Sequence, residues 1–188
     1  MPDSISTPES SVSQPADSPA ADATRSVMSI RIRGSIHDVW REITRTDDVI
    51  PCFFNMRMNY DMLQPGSRIS MRSADGKYTG VVGEILEVRP PTLFAHTFRF
   101  TSMDDPPCKV IYKLREIGGE VDFTLILEDL TPGSRSAKQM VSGSRMILST
   151  LKRVIETGRP GFGVRMLFIL FKVMAPFTPK RCRTEHWA

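Results

Sequence analysis

The chain has 188 residues, which suffices for one domain of ordinary size with tails but not for two comfortable domains. Its 25 lysine and arginine residues against 21 aspartate and glutamate residues give a formal net charge of +4. The basic residues form neither one block nor an aromatic-interleaved patch, which argues against a nucleic-acid partner. Three widely spaced cysteines, Cys52, Cys108 and Cys182, fit neither a disulfide framework nor a zinc site, and without a secretory signal or a spanning apolar stretch they favour a reducing cytoplasm.

Residues 1–25 form the first segment, in which four prolines are scattered among serines, alanines and acidic residues. Such a composition has almost nothing to bury, so we expect a disordered leader. The leader contains four acidic residues and one arginine, so the rest of the chain is more basic than the net charge of the whole chain indicates. We expect the folded domain to cover residues 26–158 and a separate segment to cover residues 159–188.

The domain is predicted to begin with a strand and a short helix. Met28, Ile30 and Ile32 alternate with polar residues, as in a half-buried strand. Ser35 and Asp38 then have the spacing of a capping box, which predicts that a helix begins after Ser35. The apolar stripe of that helix consists of Ile36, Val39, Trp40 and Ile43.

A run of strands follows, with few helical signals between them. Period-two alternation predicts strands at 55–62, 68–72, 78–88, 94–100, 108–114 and 121–127. Gly118 and Gly119 predict a hairpin between the last two strands, and Gly80 and Gly83 indicate a bulge in the third. One face of the fourth strand carries Phe94, His96, Phe98 and Phe100.

A long amphipathic helix ends the domain. Its apolar stripe consists of Met140, Ser144, Ile147, Leu148, Leu151, Val154 and Ile155. Gly158 and Pro160 supply the stop signal. Strand, short helix, about six further strands and a long helix together predict an α+β fold, with the helices on one side of an antiparallel sheet.

Several short motifs occur in a recognisable order along residues 27–158. They are Val39-Trp40, the turn Gly66-Ser67, Asp75-Gly76, the run from Gly83 to Pro91 and the helical residues from Ile147 to Gly158. In this order the chain resembles the SRPBCC (START-like) domains related to the C-terminal domain of the activator of Hsp90 ATPase. The resemblance implies a helix-grip fold, in which a curved sheet of about six to seven antiparallel strands wraps the long helix around an apolar cavity.

Two positions differ from the pattern of that family. Many relatives carry Gly-Trp early in the long helix, whereas this chain has Gly143-Ser144, which implies a larger or wetter cavity. His96 and Phe98 stand on a strand where tyrosine and tryptophan are common. His96 is interpreted either as a satisfied core histidine or as a group that contacts a ligand or transfers a proton.

The predicted function is binding of a small hydrophobic ligand in a cavity between the sheet and the long helix. Burial of each ligand CH₂ group would contribute about 0.8 kcal/mol, and His96 and Tyr112 would orient the ligand. The predicted ligand-binding residues are Phe54, Met56, Met58, Tyr60, His96, Phe98, Phe100, Val110, Tyr112, Phe123, Ser144, Ile147, Leu148 and Leu151. The competing reading is that these side chains close-pack without a void.

Two alternative functions use the same fold. A cyclase-like or hydrolase-like enzyme would need a positioned acid or base, for which only His96, Glu84 and Tyr112 are candidates. A co-chaperone-like interaction domain is the other alternative, on the family resemblance alone. The sequence has no Ser/His/Asp pattern, HExxH, CxxC or phosphate-binding glycine loop, so no catalytic residue, metal or cofactor is predicted.

The C-terminal segment contains a further amphipathic helix, predicted from Val164, Leu167, Phe168, Phe171 and Met174. We expect this helix to dock across the domain or into a homodimer partner. The alternative is an acidic membrane surface, contacted through residues 162–183 with help from the basic tail.

Overall fold

The computed structural model of the chain describes residues 24–174 and 177–187. The leader predicted over residues 1–25 therefore lies outside the described residues, apart from Thr24 and Arg25. The Thr24 carbonyl accepts a hydrogen bond from the Leu130 backbone N–H at 2.9 Å, and Arg25 Nε lies 3.3 Å from a Glu128 carboxylate oxygen. These two residues are held at the end of the last strand.

Strands dominate the described part of the chain, and three helices accompany them. The strands are β1 (Ser26–Arg33), β2 (Val49–Ile50), β3 (Met56–Asn59), β4 (Arg68–Arg72), β5 (Thr79–Arg89), β6 (Leu93–Phe100), β7 (Cys108–Ile117) and β8 (Glu120–Glu128). The helices are α1 (Ile36–Thr44), α2 (Arg135–Thr157) and α3 (Phe162–Met174). Single 3₁₀ turns occupy Pro51–Phe53, Lys180–Cys182 and Thr184–His186.

The strands of the described residues form one antiparallel sheet of eight in the order β1-β8-β7-β6-β5-β4-β3-β2. Consecutive strands are neighbours everywhere except at β1, which returns to pair with β8. This arrangement confirms the predicted α+β helix-grip fold. The strand count is one higher than predicted because the two-residue β2, which pairs Ile50 with Met56, is too short to show alternation.

The predicted cap of α1 is present with one change of partner. The Ser35 hydroxyl accepts a hydrogen bond from the Asp38 N–H at 3.1 Å, as in a capping box. The same hydroxyl donates to the Asp38 carboxylate at 2.7 Å, so the carboxylate contacts the cap side chain. Val39 and Ile43 are fully buried on the inner face of the helix.

The predicted irregularity in β5 is confirmed. The register with β6 shifts between Ile85 and Glu87, and the register of β4 with β5 shifts between Met71 and Arg72. Gly83 allows a close backbone approach, because a Cβ atom there would lie 1.9 Å from the Thr97 carbonyl oxygen. Such irregularities bend the strand and increase the local twist of the sheet.

Helix α2 closes the concave side of the sheet. Its ends follow the prediction: the Ser134 hydroxyl accepts from the Ala137 N–H at 3.1 Å, and Gly158 adopts a left-handed conformation with φ of 74°. The helix packs against β1 and the 51–53 turn and buries Met140, Ser144, Leu148 and Leu151.

Charged groups tie the C-terminal half of α2 to β1. The Glu156 carboxylate accepts from the Arg33 backbone N–H at 2.9 Å and from Lys152 Nζ at 2.8 Å. Lys152 Nζ also donates to the Arg31 carbonyl at 2.6 Å. The hydrogen bond from Lys152 is the largest cause that lowers the pKa of Glu156 to about 2.

The C-terminal helix, which was predicted to dock across the domain or into a homodimer partner, contacts the domain only in part. Helix α3 buries none of its residues. Only Val164, Leu167 and Phe168 are half-buried, whereas the opposite side is exposed. Among the described residues no helix is both long and apolar enough to cross a bilayer.

Candidate functional site

The concave face of β6, β7 and β8 and the inner face of α2 enclose an apolar interior. Cross-strand register places His96 opposite Val110, and Tyr112 opposite both Phe94 and Leu125. Residues two apart on these strands share a face, so the predicted inner side of β6 faces the helix. The interior therefore contains the aromatic and imidazole groups that the sequence singled out.

The predicted ligand-binding residues fall into two groups by exposure. The buried group is Met58, His96, Val110, Tyr112, Phe123, Ser144, Leu148 and Leu151. The half-buried group is Phe54, Met56, Tyr60, Phe98, Phe100 and Ile147. The apolar members of the buried group belong to the hydrophobic core, and Met56, Tyr60, Phe98, Phe100 and Ile147 pack against that core.

His96 is the polar group of this interior. Its side chain is 0% exposed. Nδ1 lies 2.7 Å from the Thr97 carbonyl oxygen. Because a carbonyl oxygen only accepts, Nδ1 carries the proton, and Nε2 is left with a free lone pair. Nε2 is buried and has no hydrogen-bond partner within the part of the chain that the structure describes.

Aromatic rings surround that imidazole. Its ring centroid lies 5.3 Å from Phe94, 5.9 Å from Tyr112 and 6.4 Å from Phe98. Burial among these rings lowers the pKa of His96 to about 4, although the hydrogen bond to Thr97 opposes the shift. The imidazole is therefore neutral at physiological pH and acts as a hydrogen-bond acceptor through Nε2.

A small cavity lies between β6, β7 and the N-terminal part of α2. Its volume is about 10 Å³, which is room for one water molecule. Phe98 connects this cavity to His96, because its ring contacts His96 and also lines the cavity. The lining residues are Phe98, Arg99, Phe100, Met103, Asp105, Pro106, Cys108, Leu130, Thr131, Ser136 and Met140.

The family resemblance implied a larger cavity beside α2, because Ser144 stands where many relatives carry tryptophan. The Phe54 side chain occupies space at this side of the helix. Phe54 and the following Asn55 both have positive φ, of 57° and 60°. This strained backbone directs the Phe54 ring at Gly143, where a Cβ atom would lie 3.2 Å from Phe54 Cζ. A phenylalanine from the 51–54 turn therefore packs against the helix near the position where many relatives carry tryptophan.

Two predicted polar contacts are used within the protein. The Ser144 hydroxyl donates to the Met140 carbonyl of the same helix at 2.8 Å. The expectation that this hydroxyl makes the interior wetter is therefore wrong. The Tyr60 hydroxyl donates to the Thr44 carbonyl and ties β3 to the end of α1. Burial raises the pKa of Tyr60. Neither hydroxyl is placed to orient a guest beside His96.

The candidate acid and base groups are not assembled around one point. Glu84 is exposed on β5 and faces Arg68 across the strand pair. Tyr112 is buried near His96, and burial raises its phenol pKa far above the ordinary range. Among the described residues no three His, Cys, Asp or Glu side chains are grouped to hold a metal ion.

A second, larger groove was missed by the sequence reasoning. It is an open groove of about 390 Å³ at the other end of the molecule, between α1, β2 and the end of α2. Burial raises the pKa of Glu42 in its wall, although Arg45 lies 3.5 Å away. Glu42 shares a helix with charged, exposed residues, so the sequence carried no signal for its burial. The lining residues are Gly34, Asp38, Arg41, Glu42, Arg45, Asp48, Val49, Pro51, Val154, Ile155, Gly158 and Pro160.

The sheet, the closing helix and the enclosed aromatic interior together define a helix-grip protein of the SRPBCC class. The family model described as Activator of Hsp90 ATPase homolog 1-like protein matches residues 33–156, and the chain belongs to that family. A search of curated protein sequences finds no match.

Solved structures with the same fold come from distant organisms. CalU16 from Micromonospora echinospora is 18% identical with a TM-score of 0.58, over 78% of this chain and 82% of that one. The Aha1 dimer from Colwellia psychrerythraea is 14% identical with a TM-score of 0.58, over 71% and 97%. PFC0360w, an HSP90 activator from Plasmodium falciparum, is 10% identical with a TM-score of 0.55, over 73% and 98%. These similarities establish the fold.

Proposed function

We propose that the protein binds a small hydrophobic molecule that carries one hydrogen-bond donor, in the interior between β6, β7 and α2. The observation that carries this proposal is the buried Nε2 atom of His96, which has no partner within the described residues. An unpaired buried acceptor costs about 1–3 kcal/mol, so a guest that donates to it recovers that cost. The rings of Phe94, Phe98 and Tyr112 supply the apolar contacts.

Binding requires the interior to open. A cavity of about 10 Å³ holds a water molecule and not a guest of several carbon atoms. Phe98 and Met140 line this cavity, and Phe98 separates it from His96. We expect the Phe98 ring to swing outward, because this side chain is half-buried and the thioether of Met140 adapts readily to a new shape. The guest thus selects an open state that the free protein populates less.

The role assigned to His96 is recognition. A neutral imidazole whose pKa is about 4 accepts a hydrogen bond but is not a proton donor near neutral pH. The three cysteines are free and buried, and burial raises the pKa of Cys108 to about 11. Unreactive free thiols suit a reducing compartment, so we place this binding activity in the cytoplasm.

The proposal is tested with two probes, 1-naphthol and 1-methoxynaphthalene, in which a methyl group replaces the donor hydrogen of the hydroxyl. Isothermal titration calorimetry of the full chain should show tighter binding of 1-naphthol by about fivefold, the value of one ordinary hydrogen bond. His96→Phe should abolish the preference for 1-naphthol, whereas His37→Gln, on the exposed face of α1, should keep the preference.

The opening step has its own test. Phe98→Ala removes the ring between the cavity and His96, so both probes should bind more tightly than to the unaltered protein. Saturable binding with no preference for 1-naphthol would contradict the role of His96, and absence of saturable binding in both Phe98→Ala and the unaltered protein would end the proposal.

A further inference from the structure

Helix α3 is the feature of the molecule that the proposed interior site leaves unexplained. Seven of its apolar side chains are exposed: Phe162 at 76%, Met166 at 49%, Ile169 at 56%, Leu170 at 53%, Phe171 at 44%, Val173 at 65% and Met174 at 50%. At 100° per residue all of these positions except Phe171 fall within one continuous arc of the helix surface. A contiguous apolar surface of this kind marks an interaction site.

The helix is held at both ends by the rest of the protein. At its N-terminal side, Gly161 lies against the Arg153 side chain of α2. Beyond its C-terminal side, Arg181 pairs with Asp104 at 2.5 Å and Cys182 is buried. Because the flanking segments are both attached, the exposed arc is a constrained surface of the folded protein.

Further contacts fix the returning tail. Thr184 donates its N–H to the Lys77 carbonyl at 3.0 Å and its hydroxyl to the Gly76 carbonyl at 2.7 Å. The Arg99 guanidinium lies 5.1 Å from the centre of the Trp187 ring. The tail therefore binds the β4–β5 turn and the end of β6, and α3 spans the distance from α2 to that attachment.

The charges beside the exposed arc indicate what covers it. Residues 157–184 contain six basic residues and no acidic residue. Within α3, Arg165 and Lys172 lie seven positions apart on one side of the helix, next to the apolar arc, and both are exposed. A surface that buries the arc must therefore also accommodate unpaired positive charge, which favours an anionic partner.

We infer that α3 docks on an anionic lipid surface, with its apolar arc in the headgroup and acyl-chain boundary and Arg165 and Lys172 among the headgroups. Thirteen residues give a length of about 20 Å, which is too short for a hydrocarbon core of about 30 Å and suits a helix lying in the plane of the surface. The exposed rings of Phe162 and Phe177 flank the two ends.

A second copy of the chain fits the same surface less well. A symmetric pair of α3 helices would bring Arg165 and Lys172 of both copies to one interface, and α3 supplies no acidic residue to compensate them. Like charges that lose water at an interface oppose association. Dimerisation is therefore an outcome that the experiment must distinguish from lipid binding.

The test is flotation of the full chain with phosphatidylcholine vesicles and with vesicles that also contain phosphatidylserine. We expect the protein to float with the anionic vesicles and to remain below the neutral ones. Ile169→Glu places a charge in the apolar arc and should abolish flotation. Met62→Glu is the matched control, because Met62 is equally exposed on a loop far along the chain, and it should float like the unaltered protein.

The electrostatic part is tested separately. Replacing Arg165 and Lys172 by glutamine should lower the partition coefficient on anionic vesicles by roughly 30-fold, since each basic residue near such a surface contributes about a factor of five. Glutamine at Lys113 and Lys138 removes the same net charge from exposed positions outside α3 and should have little effect.

Three results would overturn the inference. Equal partitioning onto neutral and anionic vesicles would remove the charge argument. Flotation of Ile169→Glu would show that α3 is not the contact surface. Failure to float, together with a dimer in sedimentation equilibrium that Ile169→Glu dissociates, would assign the arc to a second copy of the chain.

Discussion

Protonation of His96 should make the stability of the fold depend on pH in a defined window. Burial lowers the pKa of His96 from 6.5 to about 4 in the folded protein. Between these values the unfolded chain binds a proton that the folded chain does not, so the free energy of unfolding rises with pH. The full stability is present above pH 6.5 and is lost progressively as the pH falls toward 4.

The size of this effect follows from the pKa difference. At pH 5 we compare the proton-binding polynomial of His96 in the unfolded chain, with a pKa of 6.5, with that in the folded chain, with a pKa of about 4. Their ratio corresponds to a free energy of about 2 kcal/mol. At pH 7.5 the same ratio corresponds to about 0.1 kcal/mol. We therefore expect the free energy of unfolding to fall by about 2 kcal/mol between pH 7.5 and pH 5 from this residue alone.

Urea unfolding followed by circular dichroism at these two pH values measures the difference. His96→Phe should remove most of the pH dependence, because phenylalanine does not titrate. His37→Gln should retain it, since the His37 side chain is already exposed in the folded state. If the free energy of unfolding of His96→Phe differs between pH 7.5 and pH 5 as much as that of the unaltered protein, the buried neutral imidazole does not control stability between these pH values.

Three further changes test the fold by urea unfolding at neutral pH. Gly83→Ala would place a methyl group 1.9 Å from the Thr97 carbonyl oxygen and should cost about 3 kcal/mol or more; a smaller loss would contradict the close strand approach. Ser35→Ala removes the cap of α1 and should cost about 1 kcal/mol, and an unchanged midpoint would show that the Asp38 N–H needs no side-chain acceptor. Leu151→Ala, at a fully buried position between α2 and the sheet, should cost about 2–5 kcal/mol, and a loss below that range would indicate a loosely packed layer.

The sequence predicted most of the regular structure because period and caps are local properties. The stop at Gly158 required only a residue that tolerates positive φ, and the hairpin at Gly118 and Gly119 required the same freedom twice. Of the two irregularities in β5, the one opposite β4 falls at the predicted Gly80, whereas the one opposite β6 falls at Leu86, where the sequence carries no signal. Strand β2 was not visible, because two residues such as Val49 and Ile50 carry no alternation.

The details of the interior depend on distances that the sequence does not record. Ser144 has the same position on the helical wheel whether its hydroxyl faces a guest or, as the structure shows, the Met140 carbonyl. The ring of Phe54 reaches Gly143 only because Phe54 adopts a left-handed conformation, which is unusual for a bulky residue. A cavity of about 10 Å³ results from packing differences far smaller than one side chain.

The surfaces were predicted least well. The spacing of Val164, Leu167, Phe168, Phe171 and Met174 predicted one apolar face of α3. The first three residues are half-buried, whereas Phe171 and Met174 are exposed. The additional apolar residues on the outer face, such as Ile169 and Val173, could equally have been buried by the domain. Only the tertiary structure shows that the domain leaves them uncovered.

The proposed binding site requires a guest that donates a hydrogen bond to His96 Nε2. Long-range ¹H–¹⁵N NMR of the histidine rings, recorded with and without 1-naphthol, observes that atom directly. We expect the His96 Nε2 resonance to shift on saturation with 1-naphthol and to stay near its free position with 1-methoxynaphthalene. Binding of 1-naphthol with no change at His96 Nε2, or an equal change with both probes, would contradict the proposed site.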